Sequence, residues 1–99
     1  MKDYAVYILS NSAATLYIGV TGNLDNRIFA HKDRQDRKSF ASRYDLNRLV
    51  FVEIYPTARQ AIAREKQLKG WTRARKLKLI RGQNPEGRDF SADYGMRLT

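Results

Sequence analysis

The sequence YAVYILSNSAATLYIGVT, residues Tyr4 to Thr21, holds two segments rich in β-branched and aromatic residues with a short polar segment between them. Such side chains pack well on a pleated surface, so Tyr4–Leu9 and Leu16–Thr21 are predicted strands. The small and polar residues Asn11–Thr15 predict the loop that joins them. The two strands therefore form a β-hairpin, around which the other predicted elements are arranged.

The remaining elements follow from capping and stop residues. Asn23, Thr57 and Thr72 are predicted N-caps, while Gly70 and Gly82 are the predicted ends of the last two helices. The elements, with approximate bounds, are helices over Leu24–Lys32, Ala58–Lys69 and Arg73–Arg81 and a strand over Leu49–Tyr55. The order β-β-α-β-α-α predicts an α+β domain, with a small three-stranded, mainly antiparallel sheet flanked by helices.

The length of 99 residues suits a single domain, predicted over residues 1–90 with a polar C-terminal tail over 91–99. The chain has no cysteine, which excludes disulfides and thiolate metal sites. No apolar run is long enough to span a bilayer, and the N-terminus lacks the apolar stretch of a signal peptide. We therefore expect a cytoplasmic protein without a membrane partner.

A strong positive charge is the main compositional feature. The chain has 19 Lys and Arg against 10 Asp and Glu, a net charge of +9. Such an excess works against compactness, and its usual reason is a polyanionic partner. Nucleic acid is the first candidate, an anionic membrane surface is the second, and a simple solubility charge is the alternative.

Two basic segments are the candidate phosphate contacts. The predicted nucleic-acid-binding residues are Arg34, Arg37, Lys38 and Arg43 in the polar segment Asp33–Asn47, with Arg73 and Lys76 in the third helix. An isolated basic helix is more often only a solvated face. The presence of a second basic segment favours a surface that follows a phosphate backbone.

The hairpin tyrosines, Tyr7 and Tyr17, are candidate site residues. They share a sheet face if paired residue numbers have an even sum, and a symmetric turn around Asn11–Thr15 permits that register. Packing is the commoner reason for a strand tyrosine. Gly19 adds a second indication, since a glycine inside a strand often marks a close approach to the backbone. From the residues alone, both interpretations stay open.

Arg27 and His31 are four residues apart and therefore share a helix face. Arginine suits bidentate binding of phosphate, and His31 is the one histidine of the chain. Taken alone, a solvated arginine and a half-buried histidine are the commoner interpretation.

Glu65 lies on the predicted inward stripe of the second helix, formed by Ala58, Ala61, Ile62 and Leu68. A carboxylate there is costly unless it is paired or holds a metal ion, and Mg²⁺ often takes one or two carboxylates with water and phosphate oxygens. An ion pair with Lys69, four residues on, is an equally good interpretation. In the third helix the predicted buried line is Ala74, Leu77 and Ile80.

Several site classes are excluded. The chain has no glycine-rich loop ending in Lys-Ser/Thr, so it has no P-loop. One histidine and no cysteine leave no zinc site of standard spacing. The acidic residues are too dispersed for a two-metal nuclease.

Together these residues resemble the GIY-YIG nuclease superfamily. Its two half-motifs correspond to Ala5-Val6-Tyr7 and Tyr17-Ile18-Gly19, and its later positions correspond to Arg27, His31, Glu65 and Asn84. The segments Lys69-Gly70-Trp71 and Asn84-Pro85 resemble the short, stand-alone bacterial YhbQ/UPF0213-like members. The resemblance covers about residues 4–90 and departs at Ala5, usually glycine, and at Gly87, usually tryptophan in the short members.

The resemblance implies a divalent-metal-dependent phosphodiesterase, an endonuclease with one metal ion. Glu65 would hold Mg²⁺ or Mn²⁺, and Tyr7, or less favoured Tyr17, would be the general base. Arg27 would stabilise the developing negative charge, and His31 would accept a hydrogen bond from the base phenol.

Asn84 would brace the site. The implied substrate is DNA, with RNA as an alternative, attacked at a structural or damaged site as in DNA repair. A non-catalytic nucleic-acid-binding module is the alternative function. The sequence does not determine the oligomeric state and leaves a dimer or a protein partner open.

Overall fold

The computed structural model describes residues 3–22, 46 and 48–94. Within these ranges the strands are β1 (Tyr4–Ser10), β2 (Leu16–Thr21) and β3 (Arg48–Tyr55), and the helices are α1 (Ala58–Lys69) and α2 (Arg73–Gln83). A 3₁₀ turn follows at Ser91–Tyr94. The predicted α+β class is confirmed. The predicted helix Leu24–Lys32 and most of the segment Asp33–Asn47 lie outside the described residues.

The three strands form one antiparallel sheet in the order β2-β1-β3. In the hairpin, Tyr7 pairs with Gly19 and Leu9 with Tyr17, so paired residue numbers have an even sum and the predicted register is confirmed. Asn11 organises the turn, because its Oδ1 accepts from the backbone N–H of Thr15 at 2.9 Å and its backbone carbonyl accepts from the N–H of Ala14 at 2.9 Å.

Both faces of the sheet carry a hydrophobic cluster, which explains why β1 is apolar almost without interruption. On one face, here called the tyrosine face, the buried residues are Ala5, Tyr7, Leu9, Leu46, Leu49 and Val52. On the other, here called the helix face, they are Val6, Ile8, Ile18, Val50, Phe51, Ala61, Leu68 and Ile80. The helices α1 and α2 thus cover the face opposite Tyr7.

The outer edge of β3 is covered by the last residue of α2 and by the segment that follows it. The Gln83 side-chain amide makes the two hydrogen bonds to Val52 that a neighbouring strand would make. Its Oε1 accepts from Val52 N–H at 3.0 Å and its Nε2 donates to the Val52 carbonyl at 2.6 Å. Further along, Asp89 Oδ1 accepts from Leu49 N–H at 2.9 Å, and Phe90 N–H donates to the Leu49 carbonyl at 2.8 Å. These bonds satisfy edge groups that would otherwise be open to pairing with another chain.

The predicted N-caps of both helices are confirmed. Thr57 Oγ1 accepts from Gln60 N–H at 3.2 Å, and Thr72 Oγ1 accepts from Arg75 N–H at 3.2 Å. The predicted end of α2 at Gly82 is wrong. The helix continues to Gln83 and is capped by Asn84, whose backbone N–H donates to the Ile80 carbonyl at 2.7 Å.

Two predicted core positions are also wrong. Ile62 is 42% exposed, because it lies about 100° around the helix from Ala61, whereas Leu68 returns to the Ala61 side. Ala74 is exposed as well, while Ile80 is buried and Leu77 half-buried. In each helix the sheet covers a narrower stripe than the sequence pattern indicated. Neither described helix is both long and apolar enough to cross a membrane.

Candidate active site

The two hairpin tyrosines lie side by side on the tyrosine face. Their ring centroids are 6.2 Å apart and the ring planes are inclined at 45°. Tyr7 is 2% exposed within the core cluster, whereas Tyr17 is half-buried at its margin. The structure thus brings together the two phenols that the sequence analysis selected, and Tyr17 is the more accessible of the two.

Gly19 makes room for the Tyr7 ring. A Cβ atom on Gly19 would lie 2.5 Å from Tyr7 Cζ and 3.0 Å from Tyr7 Cε1, so the ring occupies the volume of the missing side chain. Real Cβ atoms essentially never come that close to another atom. The glycine therefore lets the Tyr7 phenol reach across to β2, an edge strand of the described sheet.

Glu65 lies on the sheet-facing side of α1, between Ala61 and Leu68. Its side chain is 17% exposed, and its Oε2 is 3.4 Å from the Lys69 ammonium, whose side chain is 56% exposed. The ion pair with Lys69, one of the two interpretations of this carboxylate, is therefore present. It does not exclude a metal ion, because an exposed lysine can move away from a carboxylate at little cost.

The helix that carries Glu65 packs on the face opposite the tyrosine pair. Ala61 and Leu68 belong to the cluster on the helix face, and α1 contacts β2 as well as β1. Because β2 is an edge strand of the described sheet, an active site shared by Glu65 and the two phenols would lie around the edge of β2.

Asn84 is 4% exposed and every polar group of its side chain has a partner. Its Nδ2 donates to the carbonyls of Val50, at 3.1 Å, and Arg88, at 2.8 Å, and its Oδ1 accepts from Arg88 N–H at 2.9 Å. Val50 is the extra residue at a register shift, since Ile8 pairs with Phe51 and Leu9 with Leu49. Asn84 thus joins the end of α2 to the bulge of β3.

Only part of the predicted phosphate-binding set falls on described residues. Arg73 is exposed and its Nη2 donates to the Ala14 carbonyl in the hairpin loop, and Lys76 is half-buried. The other predicted site residues lie outside the described residues: Arg27, His31, Arg34, Arg37, Lys38 and Arg43.

A polar network that the sequence analysis missed joins β3 to α1. Glu53 accepts from Arg64 Nε at 2.9 Å and from the Tyr55 hydroxyl at 2.8 Å. Burial, and then the bond to Glu53, raise the pKa of Tyr55, while the Glu53 carboxylate raises the pKa of Arg64. The alternation of side chains along β3 could have indicated that the Glu53 carboxylate needs a partner. It could not have indicated which arginine is that partner.

The donor set for a metal ion is small. Across residues 3–22, 46 and 48–94, no group of three or more His, Cys, Asp or Glu side chains could hold a metal ion. One carboxylate is nevertheless enough for Mg²⁺ when water and substrate phosphate supply the other oxygens. Glu65, partly exposed and paired with a displaceable lysine, fits that coordination.

Comparison with known proteins shows the family to which the chain belongs. Residues 3–78 match the model of the GIY-YIG catalytic domain. UPF0213 proteins of Staphylococcus aureus strains Mu3 and N315 are each 35% identical over 81 residues, covering 82% of this chain and 98% of theirs. The solution structure of a UPF0213 protein from Bacillus halodurans has the same fold, with a TM-score of 0.51 and 23% identity over 94% of each chain. The chain belongs to the GIY-YIG family, whose members are nucleases that act on nucleic acid.

Proposed function

We propose that the protein is a divalent-metal-dependent endonuclease that hydrolyses phosphodiester bonds in DNA. The observation that carries this proposal is the pair Tyr7 and Tyr17, held on one face with the Tyr7 ring over Gly19, inside a chain that matches the GIY-YIG catalytic domain. The net charge of +9 favours a polyanionic substrate.

The proposed chemistry is attack of water on phosphorus, with cleavage of the bond from phosphorus to the leaving 3′ oxygen. Tyr7, with Tyr17 as the alternative, accepts the proton of the attacking water. Arg27 stabilises the negative charge that develops on the phosphate, and His31 accepts a hydrogen bond from the base phenol while that phenol is still protonated. A free phenol has a pKa of about 10, so the surrounding positive charge has to favour its ionised form.

Glu65 is the residue that would hold one Mg²⁺ or Mn²⁺ ion. When bound, the ion would neutralise negative charge that develops on the phosphate. Asn84 contributes indirectly, since its bonds to the carbonyls of Val50 and Arg88 brace β3, which pairs with the strand that carries Tyr7.

We expect a preference for structured or damaged DNA. That preference would place the protein in DNA repair or processing. RNA is the alternative substrate, and the balance of basic residues serves either polymer.

The test incubates the pure protein with Mg²⁺, or with Mn²⁺, and a panel of branched, nicked and single-stranded DNAs, with EDTA as the control. Metal-dependent cleavage that Glu65→Ala abolishes, while the variant still binds DNA, is the expected result. Glu86→Ala makes the same change at an exposed carboxylate and is the matched control. Binding without cleavage of any substrate would instead identify a non-catalytic module, and normal cleavage by Glu65→Ala would remove the role given to that residue.

A further inference from the structure

A groove of about 570 Å³ lies on the helix face, between α2, β3 and the turn that joins α1 to α2. Its floor is apolar, formed by Phe51 and Leu79, and its walls carry Trp71, Arg75 and Lys78. The Glu53 carboxylate also lines the groove, but it is paired with Arg64. Concave sites of this size, apolar with a few polar groups, are where small ligands usually bind. The groove is separated from the tyrosine pair by the thickness of the sheet.

Trp71 is the single tryptophan of the chain and is half-buried at this groove. The guanidinium carbon of Arg75 lies 4.1 Å from the centroid of the Trp71 ring, and that of Arg64 lies 5.2 Å from it. Arg64 is held in place by Glu53. Arg75 is exposed and, among the described residues, forms no ion pair, so it can leave the indole when another group takes its place.

Gly82 lines the groove, and the space beside it is open. A Cβ atom at this position would meet no atom within 4 Å, although Gly82 lies inside α2, where alanine would favour the helix. Together with Arg75 and Lys78 it lies on one side of α2, since the three are separated by three or four residues. An open, positively charged and aromatic surface is therefore built into this helix.

We infer that this groove binds an unpaired nucleotide of a nucleic-acid strand. The base lies against Trp71 over the apolar floor, and its phosphate binds Arg75 and Lys78, which are exposed and without an acidic partner in the described part of the chain. Stacking on an aromatic ring with a cation beside it is the usual way in which proteins hold unpaired bases. The inference rests on the proposed function only in taking nucleic acid as the partner, because this site holds a strand and cuts nothing.

The test uses the full chain in EDTA, so that no cleavage occurs, and records the emission of Trp71. The probes are a short oligothymidylate and a blunt two-stranded duplex that has no loop and the same number of phosphates. We expect the oligothymidylate to quench the emission and the duplex to bind, as fluorescence anisotropy measures, with little quenching. Equal quenching by both probes would overturn the inference, and so would an emission that changes with protein concentration alone, which would indicate a second copy in the groove.

Variants locate the effect. Gly82→Phe fills the groove and is expected to weaken oligothymidylate binding about tenfold and to remove the quenching, with duplex binding unchanged. Gly82→Ala is the matched control and should bind as the wild type does. If Gly82→Phe does not fold, the deciding comparison is between oligothymidylate binding by Arg75→Gln and by Arg59→Gln. The second variant removes the same charge from an exposed position on α1.

An equal loss in the two arginine variants would mean general attraction to charge and no nucleotide site. Because this test contains no metal, its failure is distinguishable from failure of the proposed nuclease activity, which is measured by cleavage.

Discussion

The Tyr7 ring lies over Gly19, its partner across the hairpin, and fills the space that a side chain at Gly19 would need. The Tyr7 ring can thus pack in this place only because position 19 has no side chain. This packing turns the Tyr7 phenol toward the edge strand β2 and sets it beside Tyr17. In the proposed mechanism these two phenols include the general base.

Gly19→Ala is expected to lower the free energy of unfolding by about 1–3 kcal/mol, because the new methyl group collides with the buried Tyr7 ring. Cleavage should fall with it, since the ring has to move away from Tyr17. Denaturant unfolding and cleavage rate measure the two effects. Gly22→Ala is the control for a tight contact away from the two phenols. Its Cβ would meet Tyr4 Cε1 at 3.0 Å on the helix face. Wild-type stability and rate in Gly19→Ala would contradict the tight contact.

The cleavage rate should rise through mildly alkaline pH, because a phenol general base is active only when ionised. Tyr7→Phe preserves the packing of the ring and is expected to abolish the rise, whereas Tyr17→Phe should lower the rate and keep the pH profile. Rates measured over this pH range in the two variants and the wild type make the comparison. The reverse result would assign the base to Tyr17, the more accessible phenol.

Asn84→Asp keeps the size of the side chain but loses its two N–H donors. The carbonyls of Val50 and Arg88 then lose their partner, and we expect a loss of about 1–3 kcal/mol in unfolding free energy. Cleavage by the protein that remains folded should be reduced only modestly if Asn84 is a brace. Unchanged stability with complete loss of cleavage would show that Asn84 acts directly on the substrate.

Ala14→Gly should stabilise the protein by about 0.5–1 kcal/mol. Ala14 has a φ of 60°, a left-handed conformation that costs a residue with a Cβ atom about 1–2 kcal/mol, and glycine relieves more than it loses to chain entropy. Thermal unfolding measures the gain. Ala13→Gly, at the neighbouring position without a positive φ, should instead destabilise by about 0.4–1 kcal/mol. Equal effects at the two positions would contradict the backbone explanation.

The Tyr55 hydroxyl should contribute stability that disappears at high pH. Its pKa is raised by burial and by the bond to Glu53, so the neutral phenol is favoured in the folded state. The contribution is complete below the ordinary pKa of tyrosine, about 10, and is lost as pH rises through the higher folded value. The difference in unfolding free energy between wild type and Tyr55→Phe, measured at neutral pH and above pH 10, isolates this group. A difference independent of pH would contradict the assignment.

The local elements were largely predictable from the sequence. Strand β2 and helix α1 have the predicted bounds, and the Thr57 and Thr72 caps form as expected. The even register is one that the symmetric loop permits, and the pairing of Tyr7 with Gly19 shows that the hairpin adopts it. The predicted end at Gly82 was wrong, since a glycine in a helix costs little compared with the bonds that Gln83 and Asn84 make beyond it.

Burial within the helices was less predictable. A periodic pattern shows which residues could face a core, but the extent of the sheet decides which of them do, and it leaves Ile62 and Ala74 exposed. The covering of the β3 edge by Gln83, Asp89 and Phe90 was not visible in the sequence either. These contacts join residues about 30 to 40 positions apart, and no local rule selects the partners.

The strands and helices of the described residues and the excess of positive charge are determined by the amino-acid sequence, because they depend on local side-chain pattern, capping and composition. The sequence permits, through its symmetric turn, the register that puts the two phenols on one face. Tertiary packing alone decided that the Tyr7 ring takes the place of a side chain at Gly19, that Glu65 approaches from the helix face, and that a groove opens beside Trp71. Each of these depends on how far two packed elements stand apart, a distance that short-range preferences along the chain do not specify.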